Sequence, residues 1–487
     1  MSRSVFARTR DSFPTAAALW RALAEATATL LAALATMLCT WAIAPGPGPA
    51  VLAVVLCLSL SRSQLDRDLR GRLEAAVVLP LIGLVALGVG MLLRHLPWAG
   101  AAVFVAGMFV SIWLRRFGPM AYRAGGLIAL PFVTLLAVPH VRPATNGILP
   151  AWLVPIVVAL LALLWVSICH LLMHYLRIRP LADEEELPAA APVAQGQPGL
   201  AVSTRMAIQM AVALIVAFAV GFFFFRERWG WIVLTAFIVN SGNRGRLDVV
   251  YKSGMRVLGA AAGTVLALGA GVHLGIDHRA TAALILAALF LGVWLRPFGY
   301  AWWALFVTVA LALLQGFDGG GEPVGLLWQR MEEIILGALI GIAAAWFVLP
   351  VRSTDVLRRR LADALAALSE ALDPATEGRS AKRFDAELKR VEQVAPPFRA
   401  ARVLARRGST RPADWVDTLF DCRAPAQALI DRGATPGRVR QAVGAARRAL
   451  REPESLLPAL RELRTALSDD MTARDTHREQ AATADGG

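Results

Sequence analysis

Residues 149–176 run for 28 positions without an Asp, Glu, Lys or Arg. In hydrocarbon every backbone N–H and C=O needs an internal partner, so an uncharged run of this length reads as a spanning α-helix. The rest of the chain agrees: 56% of its residues are apolar and its mean hydropathy is +0.54. The fold class is therefore an all-α polytopic membrane protein. Apolar spans are expected at about 22–44, 49–61, 74–94, 97–113, 121–139 and 149–176, then at about 205–225, 229–240, 255–275, 279–295, 300–316 and 330–350.

The two series are copies. Trp113-Leu114-Arg115-Arg116-Phe117-Gly118 returns as Trp294-Leu295-Arg296-Pro297-Phe298-Gly299, displaced by 181 positions. At that displacement 15 of the 34 residues in 85–118 are identical to their partners, and the aligned Trp, Arg, Phe and Gly are not accounted for by a shared Ala/Leu composition. Upstream the displacement becomes 184, pairing Arg21 with Arg205, Arg62 with Arg246 and Arg72 with Arg256. A duplication with a small indel fits both values. It predicts two six-helix repeats, about twelve transmembrane helices, parallel to one another because each has an even number of spans.

Charge placement orients the repeats. Arg3, Arg8, Arg10 and Arg21 precede the first span, Arg62, Arg67, Arg70 and Arg72 follow the second, and Arg115, Arg116 and Arg123 follow the fourth, whereas the intervening loops hold at most one. The positive-inside rule puts both termini and the central linker in the cytoplasm. It also accounts for the net charge of +14 without a nucleic-acid partner. The basic N-terminus followed by Ala42-Ile43-Ala44 mimics a signal peptide, but the lead is long and the segment has a repeat partner, so it reads as the uncleaved first helix.

The expected layout is a first repeat at 1–176, a linker at 177–204 containing Asp183-Glu184-Glu185-Glu186, a second repeat at 205–350, a small helical cytoplasmic domain at 351–468 and a disordered tail at 469–487. In the domain, Leu357, Leu361, Leu365, Leu368 and Leu372 recur on one helical face, and several prolines divide the remainder into short helices.

The second and eighth spans are too short for a straight crossing, which needs roughly 20 residues. Short spans at matching places in two repeats point to a transport site, where freed backbone groups line a cavity. Arg256, at the mouth of the next helix, suits a carboxylate, because a guanidinium fork takes two oxygens; it also suits a positive-inside anchor. Gly259 and Gly263, four apart, permit close helix packing. Glu332 and Glu333 open the last span near its outer end. They are candidate proton carriers, with an interfacial ion pair as the plainer alternative. His170 and His174 have metal-pair spacing but no third ligand. The cysteines Cys39, Cys57, Cys169 and Cys422 form no C-x-x-C. No metal, no cofactor and no catalytic constellation is indicated, so the chain does not read as an enzyme.

Trp231 with Thr235 four residues on, a basic loop, and Arg256-Val-Leu-Gly259-Ala-Ala-Ala-Gly263 resemble the fusaric acid resistance family, which includes the aromatic acid exporters. The pattern departs from the family at Ala260, where a Thr is usual, and in the spacing of Gly263. The resemblance implies a bacterial inner-membrane efflux protein that exports aromatic carboxylic acids at the expense of the proton gradient, often with a periplasmic membrane-fusion adaptor; a homo-oligomer is also compatible. On the exporter reading Trp231, Thr235, Arg256, Gly259, Gly263 and Arg72 are the candidate substrate residues, and Glu332 or Glu333 is the candidate proton carrier. Two alternatives stand beside it: a major-facilitator-type transporter, approximated by Asp66-Arg67-Asp68-Leu69-Arg70-Gly71-Arg72 after the second span, and a non-transporting membrane scaffold.

Overall fold

The computed structural model describes residues 16–484 apart from 64–68, most of 119–151, 179–200, 226–227, 275–277, 318–322, 376–379, 405–410 and 434–435. The expected fifth span, 121–139, the central linker and the N-terminal arginines fall largely outside the described residues. Every described element is helical. The chain divides into two compact units, residues 1–242 with 252–349, and residues 243–251 with 350–487.

The first unit is the apolar one. Its helices are α1 (Ala16–Ile43), α2 (Pro47–Ser63), α3 (Leu69–His95), α4 (Pro97–Trp113), α5 (Val154–Tyr175), α6 (Val202–Phe224), α7 (Trp229–Asn240), α8 (Arg246–Leu274), α9 (His278–Leu295), α10 (Tyr300–Phe317) and α11 (Pro323–Phe347). The first turns of α8 belong to the second unit. Six stretches are long and apolar enough to cross a membrane: 16–43, 72–95, 97–117, 154–175, 202–224 and 280–298. The twelve crossings expected from the sequence are thus matched by six among the described residues. Residues 48–61, 229–240 and 300–314 are apolar but shorter. Large apolar side chains such as Leu81, Phe223, Phe224 and Phe347 are exposed, as a lipid-facing surface requires.

The short helices have local causes. α2 starts at Pro47 just after Gly46, whose φ is +152°. α7 stops where Ser241 turns extended and Gly242 adopts φ +57°. The repeated Trp-Leu-Arg motif closes α4 and α9 with a 3-10 turn, at Leu114–Phe117 and Arg296–Phe298. In each turn an arginine lies on tryptophan: Arg116 is 4.4 Å from the Trp113 ring centroid and Arg296 is 4.9 Å from that of Trp303. The aligned pair was Arg115 and Arg296, yet the stacking residue of the first copy is Arg116.

Two cores fill this unit. Ala32, Ala53, Leu56, Leu60, Leu79 and Val158 join α1, α2, α3 and α5. Phe104, Met108, Met210, Leu214, Phe218 and Ile232 join α4 to α6 and α7. The second core therefore binds the two sequence-related halves together. A second junction lies between α9 and α1, where the Trp294 indole donates to the Leu19 carbonyl at 3.2 Å. Nearby, Ala26, Leu30, Val54, Leu286 and Phe290 line a narrow apolar cleft.

The second unit contains α12 (Ser353–Ala371), α13 (Lys382–Val394), α14 (Pro396–Leu404), α15 (Pro412–Asp421), α16 (Arg423–Asp431), α17 (Gly437–Ala449) and α18 (Pro453–Ala484). Prolines open α14, α15 and α18, the one helical position where a missing N–H leaves no gap. The leucine stripe anticipated from spacing is the heart of the core: Leu357, Leu361, Leu365, Leu368 and Leu372 pack with Phe384, Trp415, Leu429 and Leu460. Ion pairs frame it. Arg399 reaches Glu392 at 3.1 Å and Asp417 at 3.2 Å, Arg402 meets Asp417 at 2.7 Å, and Arg464 meets Asp421 at 3.1 Å.

Two features were not anticipated. Residues 243–251 belong here: the Leu247 N–H donates to Ser353 Oγ at 3.0 Å, the Arg246 N–H donates to the Val351 carbonyl at 3.1 Å, and Leu247 packs on the core. The tail expected to be disordered continues α18 as far as Ala484.

Candidate anion site

Two helix crossings at glycine build the site. On α11, Gly337 and Gly341 face α7. A Cβ on Gly337 would lie 2.6 Å from the Ile232 carbonyl oxygen and 2.8 Å from Thr235 Cβ, and one on Gly341 would lie 2.8 Å from Asn240 Nδ2. On α8, Gly259 and Gly263 face α10. A Cβ on Gly259 would lie 2.8 Å from Ala304 Cβ, and one on Gly263 would lie 2.7 Å from the Leu305 carbonyl oxygen. Glycine at these positions lets the backbones touch. The sequence singled out the second pair and missed the first, although it has the same four-residue spacing.

These crossings gather polar side chains inside an apolar bundle. The Arg330 guanidinium lies over the Trp231 ring, 4.0 Å from its centroid. Arg330 is also within electrostatic reach of Arg256 and of Glu333. Arg256 in turn interacts with Tyr300, the first residue of α10. Arg228, just before α7, donates to the Gln329 side-chain carbonyl and acts on Glu333. Arg256 and Arg330 are each only 2% exposed and Glu333 1%. Arg256 ranks among the largest fully buried side chains of the protein.

The two acidic candidates separate. Glu332 is exposed and Glu333 is buried. Neither opens its helix, because α11 begins at Pro323 and has made ten residues of its 25 before Glu333. At 1.5 Å per residue that is about 15 Å along the axis, so the expectation of a position near the outer end is corrected inward.

Polar atoms here are left uncommitted. Thr235 Oγ1, Arg256 Nε, the Tyr300 hydroxyl and Glu333 Oε1 are buried without a hydrogen-bond partner. Thr36 and Thr308 in this unit bond back to the preceding turn, to Ala32 and Ala304, each at 2.7 Å; Thr235, wholly buried, does not, and neither do Thr40, Thr204 and Thr264. A buried, unsatisfied group costs about 1–3 kcal/mol and more when charged. Positive charge dominates the cluster: Arg228 and Arg330 act on the buried carboxylate Glu333, and Arg256 acts on Arg330. Such a site attracts an anion, and its guanidinium, hydroxyl and phenol groups are all able to donate to one.

Of the residues anticipated from sequence, Trp231, Thr235, Arg256 and Glu333 fall in this region. Gly259 and Gly263 serve its packing. Arg72 is half-buried on α3. Arg330 and Tyr300 were not anticipated as site residues.

Residues 202–344, from α6 into α11, match the family model described as fusaric acid resistance protein-like. Over 171 residues the chain is 28% identical to an Escherichia coli (strain K12) protein described as uncharacterized protein YhfK; this covers 34% of the present chain and 23% of that one. The present chain thus spans about a quarter of that relative's length. The stretch that carries the buried arginines is thus similar to the fusaric acid resistance protein-like family, a likeness that points to a membrane transporter of the efflux type.

Proposed function

We propose that the chain is a secondary-active efflux transporter of small organic anions, aromatic carboxylates foremost, running on the proton gradient of a bacterial inner membrane. The observation that carries this reading is Arg256, fully buried at a glycine-packed helix crossing, with Arg330, the Tyr300 hydroxyl and the Thr235 hydroxyl as companion donors. In this account Arg256 and Arg330 hold the carboxylate, Trp231 fixes Arg330 by stacking, and Thr235 and Tyr300 supply the neutral donors. Arg72 contributes attraction from a distance. Glu333 takes up the proton, because it shares the buried region with Arg330, while Glu332 is exposed.

Twelve spans in two parallel repeats, cytoplasmic termini and a cytoplasmic C-terminal unit complete the reading. A periplasmic adaptor and a homo-oligomer are compatible with it. The 12-residue α7 argues against the major-facilitator alternative, whose spanning helices are full-length. A scaffold has no use for a buried guanidinium without a compensating carboxylate.

Whole-cell efflux of a panel of aromatic acids, with and without a protonophore, tests the reading. Deletion cells should retain the transported acid, protonophore-treated wild-type cells should behave like them, and Glu333→Gln should mimic the protonophore where Glu332→Gln does not. Equal accumulation in deletion and wild-type cells across the panel contradicts the proposal.

A further inference from the structure

We infer that helix α17 of the C-terminal unit is an electrostatic docking surface for anionic phospholipid headgroups. From Arg432 to Arg451 the sequence has six arginines and no acidic residue. All six are exposed. Arg440, Arg447 and Arg448 stand at i, i+7 and i+8, on one face of α17, with Arg432 and Arg451 at its two ends. The opposite face, Val439, Ala442, Val443 and Ala446, is buried in the core of the unit, so the register of this arginine face is fixed by packing.

The distribution of ion pairs sets this face apart. Arg390, Arg399, Arg402, Arg423 and Arg464 in the same unit each meet a carboxylate. Around α17 only Arg438 does so among the described residues, meeting Asp469 at 3.8 Å. Among the described residues the remaining five guanidinium groups meet no carboxylate.

Two observations select a headgroup surface. The exposed positions of α17, Gly437, Arg438, Arg440, Gln441, Arg447 and Arg448, include no apolar or aromatic anchor, and protein interfaces concentrate their energy in such anchors. A plane of phosphates needs none. The unit also comes directly after the apolar helix α11, which ends at Phe347, so a bilayer is always within reach of the tether and association is effectively intramolecular. Arginines near an anionic surface are attracted over about one Debye length, and the attraction is lost in high salt.

The test uses the full chain in nanodiscs of phosphatidylcholine, alone or mixed with phosphatidylglycerol. Both kinds contain a trace of lipid spin-labelled on its headgroup. A fluorophore is attached at Gln441→Cys after the four native cysteines are changed to alanine, and quenching by the spin label is read. Quenching should appear in the anionic discs, vanish in high salt and stay absent in neutral discs. Replacing Arg440, Arg447 and Arg448 with Glu should lower occupancy of the quenched state at least on the order of 100-fold, while thermal unfolding of the unit is unchanged. Equal quenching in both disc types, or quenching that survives the triple replacement, overturns the inference. So does binding of a labelled RNA duplex with no response to lipid, which would assign the stripe to nucleic acid.

Discussion

Among the described residues of the membrane unit, the buried charged side chains, Arg256, Arg330 and Glu333, all lie in the second half. In the first half Thr29 and Ser61 share a hydrogen bond at 2.7 Å and Thr36 reaches both the Ala32 carbonyl and Cys57 Sγ, while Thr40 Oγ1 is buried without a partner. In the second half Thr235, Arg256, Tyr300 and Glu333 all hold buried atoms without one. At the matching displacements the first half has Pro47 for Trp231, Val51 for Thr235, Leu149 for Arg330 and Trp152 for Glu333, and retains only Arg72 for Arg256. Among the described residues the first half buries only hydroxyl side chains as its polar groups, and the second buries charge as well.

That contrast breaks most visibly at the arginines. Arg256→Ala or Arg330→Met should reduce anion transport on the order of 100-fold or more, since truncating one partner of a buried charged contact costs about 2–5 kcal/mol. Arg72→Ala should change it only a few-fold in the same uptake and efflux measurements. Comparable losses from both halves would dissolve the distinction.

The glycines give the next largest effect. Gly337→Ala and Gly259→Ala force a methyl group into backbone of the facing helix and should each destabilise the protein by about 1–3 kcal/mol. Gly83→Ala and Gly88→Ala on α3 meet no atom within 4 Å and should instead stabilise by about 0.5–1 kcal/mol through helix propensity. Thermal unfolding of the four variants in one detergent separates these signs.

The smallest effect is the most diagnostic. Thr29→Val removes half of a satisfied pair and should cost about 1 kcal/mol with anion binding intact. Thr235→Val removes a hydroxyl that has no partner, so it should leave stability unchanged or improve it while weakening anion binding. A threonine whose loss lowers stability and spares binding at position 235 would make that position ordinary core.

Legibility in the sequence tracks the range of each interaction. The short helix Trp229–Asn240 was legible to the residue because Gly230 and the loop after Asn240 punctuate an apolar run. The leucine stripe of α12 and the packing glycines of α8 were legible through periodicity. Arg256 stood out as a charge at the edge of a span. The stacking of Arg330 on Trp231 was not legible, because it joins residues about one hundred positions apart with no shared local pattern. Tyr300 was hidden behind the repeated motif, where it reads as the residue after a turn. Gly337 and Gly341 sit in a run of small apolar residues that conceals their spacing. The assignment of residues 243–251 to the C-terminal unit depends on contacts with Ser353 and Val351, which no periodicity announces.

The central claim is that one half holds the anion, and equilibrium binding measures it most directly. Purified full-length wild type, Arg256→Ala and Arg72→Ala would each be titrated with benzoate in the same detergent, by calorimetry. The account predicts saturable binding to the wild type, a dissociation constant raised on the order of 100-fold by Arg256→Ala, and one within a few-fold of wild type for Arg72→Ala. Wild-type affinity in Arg256→Ala, or equal damage from Arg72→Ala, would contradict it.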